Sequence, residues 1–339
     1  MIADLDTGPA LEFALPPELE AHEPPEARGL ARDAVRLLVS DRRTDRIVHA
    51  TFRDLPWFLD SGDVVVVNDS ATLPARLSAT DEDGRELTLH LSTRLSDDTW
   101  VVEPRGTDVA TGTVLSLPAG ASIRLARPHR GNRLWVAKPS LPEPTLDYLH
   151  RWGRPIRYDY VPRDWPIENY QTVFARRPGS AEMPSAGRPF SSRVVTALAA
   201  RGVAVETITL HTGVASLEAD EPPYEEWFDV PERTAHAVRQ AFARGSRVLA
   251  VGTTVVRALE SAISNCEVRA AFGWTDLVVT GQHPICSASA LLTGFHEPRA
   301  SHLQMLTALA DRDHVARAYE SALEQRYLWH EFGDVHLIL

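Results

Sequence analysis

Two short apolar runs, Val35 to Val39 and Val64 to Val67, open the chain's ordered pattern. Ser61-Gly62-Asp63 precedes the second and Asn68-Asp69-Ser70 follows it, so both runs predict buried strands. From about Pro74 to Pro139 the rhythm shortens. Runs at 87–91, 100–102, 113–117, 122–125 and 134–137 alternate with Asp83-Gly84, Asp97-Asp98, Ala119-Gly120 and Gly131-Asn132. Short strands at such even spacing predict a small all-β barrel or sandwich. After Tyr158 strand and helix alternate. A helix over Ser192 to Ala200 stops at Arg201-Gly202, and a strand, Val203 to Leu210, follows. Pro231 to Arg244, with Pro at its start and Gly245 beyond its end, predicts a helix. Arg247 to Val251 reads as a strand, Gly252 through Ser264 as a helix and Leu277 to Thr280 as a strand. Two helices, Pro298 to Ala310 and Asp313 to Tyr327, close the chain. The first 34 residues, punctuated by Pro16-Pro17 and Pro24-Pro25, read as an extended arm laid over a domain. The expectation is an α/β main domain over residues 1–74 and 158–339, a mixed or barrel-like sheet with flanking helices. An inserted all-β barrel domain spans 75–157.

Composition changes this picture little. With 339 residues, 44% hydrophobic and 24% charged, the chain can build a sizeable core in two domains. No apolar run approaches the roughly 20 residues of a membrane helix. The start, Met1 to Asp6, has neither a basic stretch nor an apolar one, which argues against a signal peptide. Two cysteines, Cys266 and Cys286, suit a reducing compartment, and a cytoplasmic location is expected. No Cys/His cluster has metal spacing, so no metal site is expected. The net charge of −11 shows no broadly basic nucleic-acid groove. The basic stretches from Arg124 to Arg133 and from Arg151 to Arg157 read first as solvated faces.

Candidate chemistry sits in turns between strands and helices, where α/β folds gather ligands. Gly252-Thr253-Thr254 follows one strand and opens a helix, so its backbone N–H groups suit an anion, although a capping threonine explains it equally. His211, before Thr212-Gly213, and His296, after Thr293-Gly294-Phe295, can each serve as a general base or as a structural histidine. The loop from Gly179-Ser180 to Pro184-Ser185-Ala186-Gly187 can admit a ligand close to the backbone or remain a surface turn. Glu225-Glu226 can do acid/base work but reads first as a solvated turn. The chain has no Gly-x-Gly-x-x-Gly, Walker A or Gly-x-Ser-x-Gly sequence, which lowers the common dinucleotide, nucleotide-triphosphate and serine-hydrolase readings.

Taken in order, these turns resemble the S-adenosylmethionine:tRNA ribosyltransferase-isomerases of queuosine biosynthesis. The likeness runs from Phe13–Leu19 and Arg36–Val39 through Gly62–Ser70 and Leu73–Leu77. It continues through Asn169–Ala175, Gly179-Ser180, Pro184–Gly187, Thr209–Gly213 and Val251–Thr254 with Arg257–Ser261. It ends at Thr293–His296 and Phe332-Gly333-Asp334. The resemblance implies an α/β domain with a β-barrel insertion and S-adenosylmethionine used as a ribosyl donor, with no metal. A base removes a proton from the ribose carbon beside the sulfonium, and the ring opens with loss of adenine. The aminomethyl group of a 7-deazaguanine in tRNA attacks, an epoxide closes and methionine departs. It also implies His211 or His296 as the proton-transfer residue. Gly252, Thr253, Thr254 and Arg257 would hold an anionic group of the donor. Tyr170, Gln171, Ser185, Ala186 and Gly187 would shape the nucleoside pocket, with Asn68, Asp69, Arg76, Thr172, Gly213, Thr293 and Phe295 as further substrate contacts. A monomer or weak dimer is expected.

The departures fall in the same loops. The family usually reads Thr-Ala-Gly-Leu-His-Phe-Thr where this chain has Ser185 to Ser191, so a histidine becomes Pro189. Its His-x-Met-His-x-Glu stretch corresponds to Glu221 to Glu226, where Tyr224 stands for a histidine and only Glu226 matches. An arginine becomes Ala71, a serine becomes Val255 and the leucine after His296 becomes Glu297. Three readings follow: a divergent tRNA-modifying enzyme, a paralogue using the same donor on a small-molecule acceptor, or a non-catalytic binding protein.

Overall fold

The computed structural model describes residues 11–95, 99–129, 133–214, 224–298 and 300–339. Residues Met1 to Asp6, the turns Asp97-Asp98 and Gly131-Asn132, and Glu221 to Pro223 lie outside them. In chain order, β1 (Arg36–Asp41) and β2 (Arg46–Thr51) form a hairpin, and β3 (Val64–Asn68) and β4 (Ser70–Thr72) follow. Six strands come next: β5 (Arg76–Thr80), β6 (Glu86–Arg94), β7 (Trp100–Arg105), β8 (Val114–Ser116), β9 (Ser122–His129) and β10 (Leu134–Ser140). They close into a barrel in the order β10-β7-β6-β5-β8-β9. Leu77, Leu89, Trp100, Leu115, Ile123 and Trp135 fill its interior. Closure leaves no free sheet edge.

After the barrel come α1 (Thr145–Trp152), β11 (Arg177–Ser180), α2 (Ser192–Ala200), β12 (Ala204–Leu210), β13 (Glu226–Val230), α3 (Glu232–Ala243), β14 (Val248–Val251) and α4 (Thr253–Ser261). The small hairpin β15 (Ile263–Ser264) and β16 (Glu267–Val268), then β17 (Ala271–Thr275), β18 (Ala290–Gly294), α5 (Ser301–Leu309), α6 (Arg312–Glu324) and β19 (Val335–Ile338) complete the chain. Nine strands make one mixed sheet in the order β17-β13-β12-β3-β14-β18-β19-β1-β2. At its centre β12, β3, β14 and β18 run parallel.

Strand alternation divides the core between two faces. Val64, Val66, Val248, Ala250 and Leu291 point into one layer, which α3 to α6 cover. Val65, Val67, Leu249, Val251 and Leu292 point into the other, covered by α2 and the 3-10 turn Phe52–Phe58. Burial on both faces explains why these strands read as continuous apolar runs. Among the described residues no helix is long and apolar enough to cross a membrane.

Several expectations are corrected. Leu277 to Thr280 is not a strand; the strand lies earlier, at Ala271–Thr275, where Trp274 pairs with Trp227 across the sheet. The helix that starts at Thr253 ends at Ser261, and Asn265 and Cys266, both at positive φ, turn the β15–β16 hairpin. β2, β5, β13, β17, β18 and β19 gave no strand signal because their partners, not their own pattern, fix them. The N-terminal arm is docked: Trp329 donates its backbone N–H to the Leu19 carbonyl at 2.7 Å, and Leu19 is buried.

Candidate active site

The four parallel strands share a direction, so their C-terminal ends meet at one edge. Asn68-Asp69, His211-Thr212, Gly252-Thr253 and Phe295-His296 all emerge there. This is the edge at which an open α/β sheet leaves a crevice. A cavity of about 350 Å³ lies against it, lined by Ser185, Ala186, Thr212, Gly252, Thr253, Thr254, Thr293, Phe295 and His296. Tyr158, Tyr160, Glu182, Met183, Glu297, His302, His330 and Glu331 also line it.

Gly252 has φ +90°, and a Cβ there would stand 3.4 Å from that of Ala186. Only glycine takes that conformation readily, and it brings the start of α4 against the 185–187 turn. The first N–H groups of α4 have no acceptor within the helix, so they are donors available to an anion. On the far side the His296 Nε2 and Thr293 Oγ1 lie 2.8 Å apart, and the indole N–H of Trp329 donates to the His296 carbonyl at 3.1 Å. Burial first, then the imidazoles of His302, His330 and His336, hold His296 well below its ordinary pKa. His302 stacks on it and stands exposed at the mouth, where solvent moderates the lowering that packing and Arg257 produce. Both rings are neutral at pH 7 and add no positive charge to the cavity.

The opposite wall is acidic. The loop from Ser180 to Met183 is zipped to Thr212: the Ala181 N–H donates to the Thr212 carbonyl at 2.8 Å, and the Thr212 hydroxyl to the Glu182 carbonyl at 2.7 Å. Glu182 accepts the hydroxyl proton of Tyr158 in a hydrogen bond. The Tyr160 ring stacks on His330 with centroids 4.1 Å apart. Burial, then Glu182, raises the Glu331 carboxyl to about 8.

The structure divides the residues expected from the sequence. Ser185, Ala186, Gly252, Thr253, Thr254, Thr293, Phe295 and His296 converge on the cavity. His211 does not. It lines a separate, larger cleft of about 960 Å³ between the barrel and the sheet edge, beside Trp227 and Trp274. There it hydrogen-bonds Ser70 Oγ at 2.8 Å and stacks on Trp227, and burial with Arg177 lowers its pKa to about 4. Gly179 permits this packing, because a Cβ would come within 2.4 Å of the ring. The smaller cavity is the stronger candidate because it joins a helix start to several desolvated titratable groups.

The other expected contacts hold the scaffold. Asn68 bonds both the N–H and the carbonyl of Leu210, tying β3 to β12, and Asp69 accepts from the Thr209 hydroxyl at 2.6 Å. Arg76 pairs with Asp164. The Gln171 amide pairs with both backbone groups of Thr72, and the Thr72 hydroxyl donates to the Tyr170 carbonyl. Thr172 accepts from the Phe174 N–H, and Gly187 packs against Thr172. Arg257, expected to hold an anion, is not part of the cavity lining: its guanidinium pairs with Glu226 and donates to the carbonyls of Leu277 and Thr275. Glu226, read as part of a solvated turn, is the partner of that ion pair and also accepts the Gly213 N–H at 2.8 Å.

Sequence reasoning passed over Tyr158, Tyr160, Glu182, Met183, His330 and Glu331. Glu182 and Met183 sit between two segments it singled out, and His330-Glu331 precede Phe332-Gly333-Asp334. Their adjacency to those motifs was the available signal. Among the described residues no group of three or more His, Cys, Asp or Glu side chains is placed to hold a metal ion.

The sequence model of the queuosine biosynthesis protein family matches residues 9–338. The chain belongs to that family. It is 36% identical to the S-adenosylmethionine:tRNA ribosyltransferase-isomerase of Thermotoga maritima, over 97% of this chain and 98% of that protein. The corresponding protein of Desulforamulus reducens is 33% identical over the same shares. The crystal structure of the S-adenosylmethionine tRNA ribosyltransferase from Thermotoga maritima superposes with a TM-score of 0.56 at 32% identity, covering 97% of this chain and 99% of that one. Within this family frame the departures take distinct places. Tyr224 is buried and its hydroxyl accepts from Arg133 at 2.5 Å, so it belongs to the barrel contact. Pro189 follows Arg188, which is buried and bound to Glu26 and to the Asn169 carbonyl. Ala71 lies in β4 opposite Pro178. Glu297 lines the cavity, its carboxylate 3.8 Å from His330 Nδ1, and so does Ser185, which stands for a family threonine.

Proposed function

We propose that this chain transfers and isomerises the ribosyl group of S-adenosylmethionine onto the aminomethyl group of 7-aminomethyl-7-deazaguanine in tRNA. The products are epoxyqueuosine, adenine and methionine. The observation that carries this reading is the cavity at the ends of the four parallel strands, in a chain matched by its family almost end to end. The start of α4, Gly252 to Thr254, is suited to the methionine carboxylate. Glu182 and Glu297 offer negative charge to the sulfonium and ammonium groups. His296, neutral and fixed by Thr293, takes the proton from the ribose carbon beside the sulfonium. The sulfonium acidifies that carbon, so a weakly basic imidazole suffices. His211 acts at a distance, as a positioning residue under the 179–182 loop.

One observation favours a second reading, transfer to a small-molecule acceptor. Glu182, Glu297 and Glu331 line the cavity, and no lysine or arginine does so among the described residues. Such a lining does not attract phosphates. Incubating the protein with S-adenosylmethionine, with and without tRNA carrying 7-aminomethyl-7-deazaguanine, separates the two. Adenine and methionine released only with tRNA, together with a mass gain on the tRNA, support the first reading. Release without tRNA, or a tRNA of unchanged mass, supports the second. Failure to bind the donor in calorimetry would leave only a binding protein on this fold.

A further inference from the structure

We propose that Glu331 is the acid that delivers a proton to adenine as it leaves the ribose; this rests on the ribosyl-transfer reading above. Glu331 stands in a turn built to hold it. Asp334 accepts the backbone N–H of Arg36 at 2.7 Å with one carboxylate oxygen and that of Leu328 at 2.8 Å with the other. Gly333 leaves no room for a Cβ, which would come within 2.3 Å of the Leu328 carbonyl. His330, before Glu331, takes φ 71°, a left-handed conformation that a non-glycine residue holds only when its surroundings fix it. Phe332-Gly333-Asp334 thus has a structural role, and its effect is to present His330 and Glu331 to the cavity.

The carboxyl group has no partner of its own. Its Oε1 is shielded from solvent and makes no hydrogen bond. A shielded polar atom on a cavity wall calls for a ligand atom to complete it. The groups around it explain its state. Glu182 repels a negative charge there but is itself held by the Tyr158 hydroxyl. Arg188 attracts one but is engaged by Glu26 and the Asn169 carbonyl. Tyr158, Tyr160 and Tyr170 also feel its charge, His330 precedes it and Glu297 shares its cavity wall; the Tyr170 hydroxyl is unpartnered. Burial and Glu182 raise the carboxyl to about 8, so it carries its proton at pH 7. His296 is neutral before the reaction and is assigned the opposite transfer, taking a proton from the ribose carbon.

A flat aromatic wall adjoins this acid. Tyr158 lies on Tyr160 at 5.8 Å and Tyr160 on His330 at 4.1 Å, each pair nearly parallel. Such a stack matches the face of a purine. In the proposed step, the bond from the anomeric carbon to adenine breaks and its electron pair goes to adenine. The Glu331 proton passes to the same heterocycle, which departs neutral. The ring oxygen supplies the electrons for the new carbonyl as its bond to the neighbouring ribose carbon breaks. That carbon becomes doubly bonded to the one deprotonated by His296. One proton is taken and one given, and exchange with water restores both groups.

The test compares wild type, Glu331→Gln and Glu331→Asp in adenine release from S-adenosylmethionine with tRNA carrying the 7-deazaguanine, from about pH 6 to about pH 9. Glutamine keeps the shape and cannot donate an acidic proton. The expected result is a loss of about 10²- to 10⁴-fold in kcat for Glu331→Gln, with S-adenosylmethionine affinity in calorimetry within a few-fold of wild type. Wild type should lose activity above about pH 8, while the residual rate of the glutamine variant should show no such limb. Aspartate, which retains an acid, should be slowed less and keep an alkaline limb. Wild-type turnover and pH dependence in Glu331→Gln would overturn the assignment alone. If wild type itself releases no adenine with any acceptor, the ribosyl-transfer reading falls and the assignment falls with it.

Discussion

The imidazole rings of His296 and His302 stack nearly parallel, 9° apart in plane with centroids separated by 4.7 Å. Two protonated rings at that distance would repel, so the pair favours neutrality. His296 also bonds Thr293, and His302 completes the mouth of the cavity. His296→Ala is therefore expected to lower kcat by about 10²- to 10⁴-fold while donor binding persists. His302→Leu keeps a stacking surface and should cost far less. Near-normal turnover in His296→Ala would remove it from the proton-transfer role.

His211 should behave differently. Its Ser70 hydrogen bond and its contact with Trp227 hold the 179–182 loop, outside the candidate cavity. His211→Ala should lower stability by about 1–3 kcal/mol and reduce turnover only several-fold. Urea denaturation and steady-state kinetics on one preparation check both. A variant of unchanged stability and abolished turnover would return His211 to the chemistry.

Gly252→Ala forces a side chain into a conformation that only glycine takes readily, against Ala186. The start of α4 must shift, and its N–H groups with it. S-adenosylmethionine affinity should fall about 10-fold or more in calorimetry, with a stability loss of about 1–3 kcal/mol. Equal affinity in variant and wild type would detach this helix start from the donor site.

Arg257 and Glu226 are 10% and 12% exposed as side chains. Arg257→Met strands the Glu226 carboxylate with only the Gly213 N–H, and should cost about 3–5 kcal/mol of stability. Folded variant should bind the donor within a few-fold of wild type. A much weaker donor affinity at unchanged stability would instead give Arg257 the anion-holding part that its sequence position suggested.

Stability should depend on pH with two opposing signs. His211 and His336 are held neutral by burial, at about 4 and about 3. Below the ordinary histidine value of 6.5 the unfolded chain binds more protons, so stability falls as pH drops through that window. The full shifts set upper bounds of about 3 kcal/mol for His211 and about 5 kcal/mol for His336, and the partly exposed His211 contributes less. Glu331 runs the other way: its stabilising share is complete below the ordinary 4.5 and is lost as pH rises through about 8. Denaturation curves for wild type and Glu331→Gln should therefore diverge as pH rises from about 4.5 to about 8, the variant being the more stable above that window. Flat stability between neutral and mildly acidic pH would contradict the histidine assignments.

Much of this molecule was legible from the sequence, for local reasons. The runs at Val64–Val67 and Arg247–Val251 read as buried strands because both faces of the sheet are covered, and α2 ended where Gly202 directed. Short even runs announced the barrel. Gly252 and Thr253 could be chosen because a strand end followed by a helix is marked in sequence, and Thr293 and His296 because their loop leads into a helix. What the sequence left open was decided by partners far along the chain. β19 and β18 exist as strands because each pairs with the other, and β5 because it closes the barrel. His211 and His296 carry similar local signals, yet the course of the 179–183 loop puts one in the barrel cleft and the other in the cavity. Arg257 and Glu226 meet each other across 31 residues, a pairing that neither local sequence announced. Glu331 had no signal of its own: its acidity arises from burial beside Glu182, about half the chain away, and only tertiary contact creates that field.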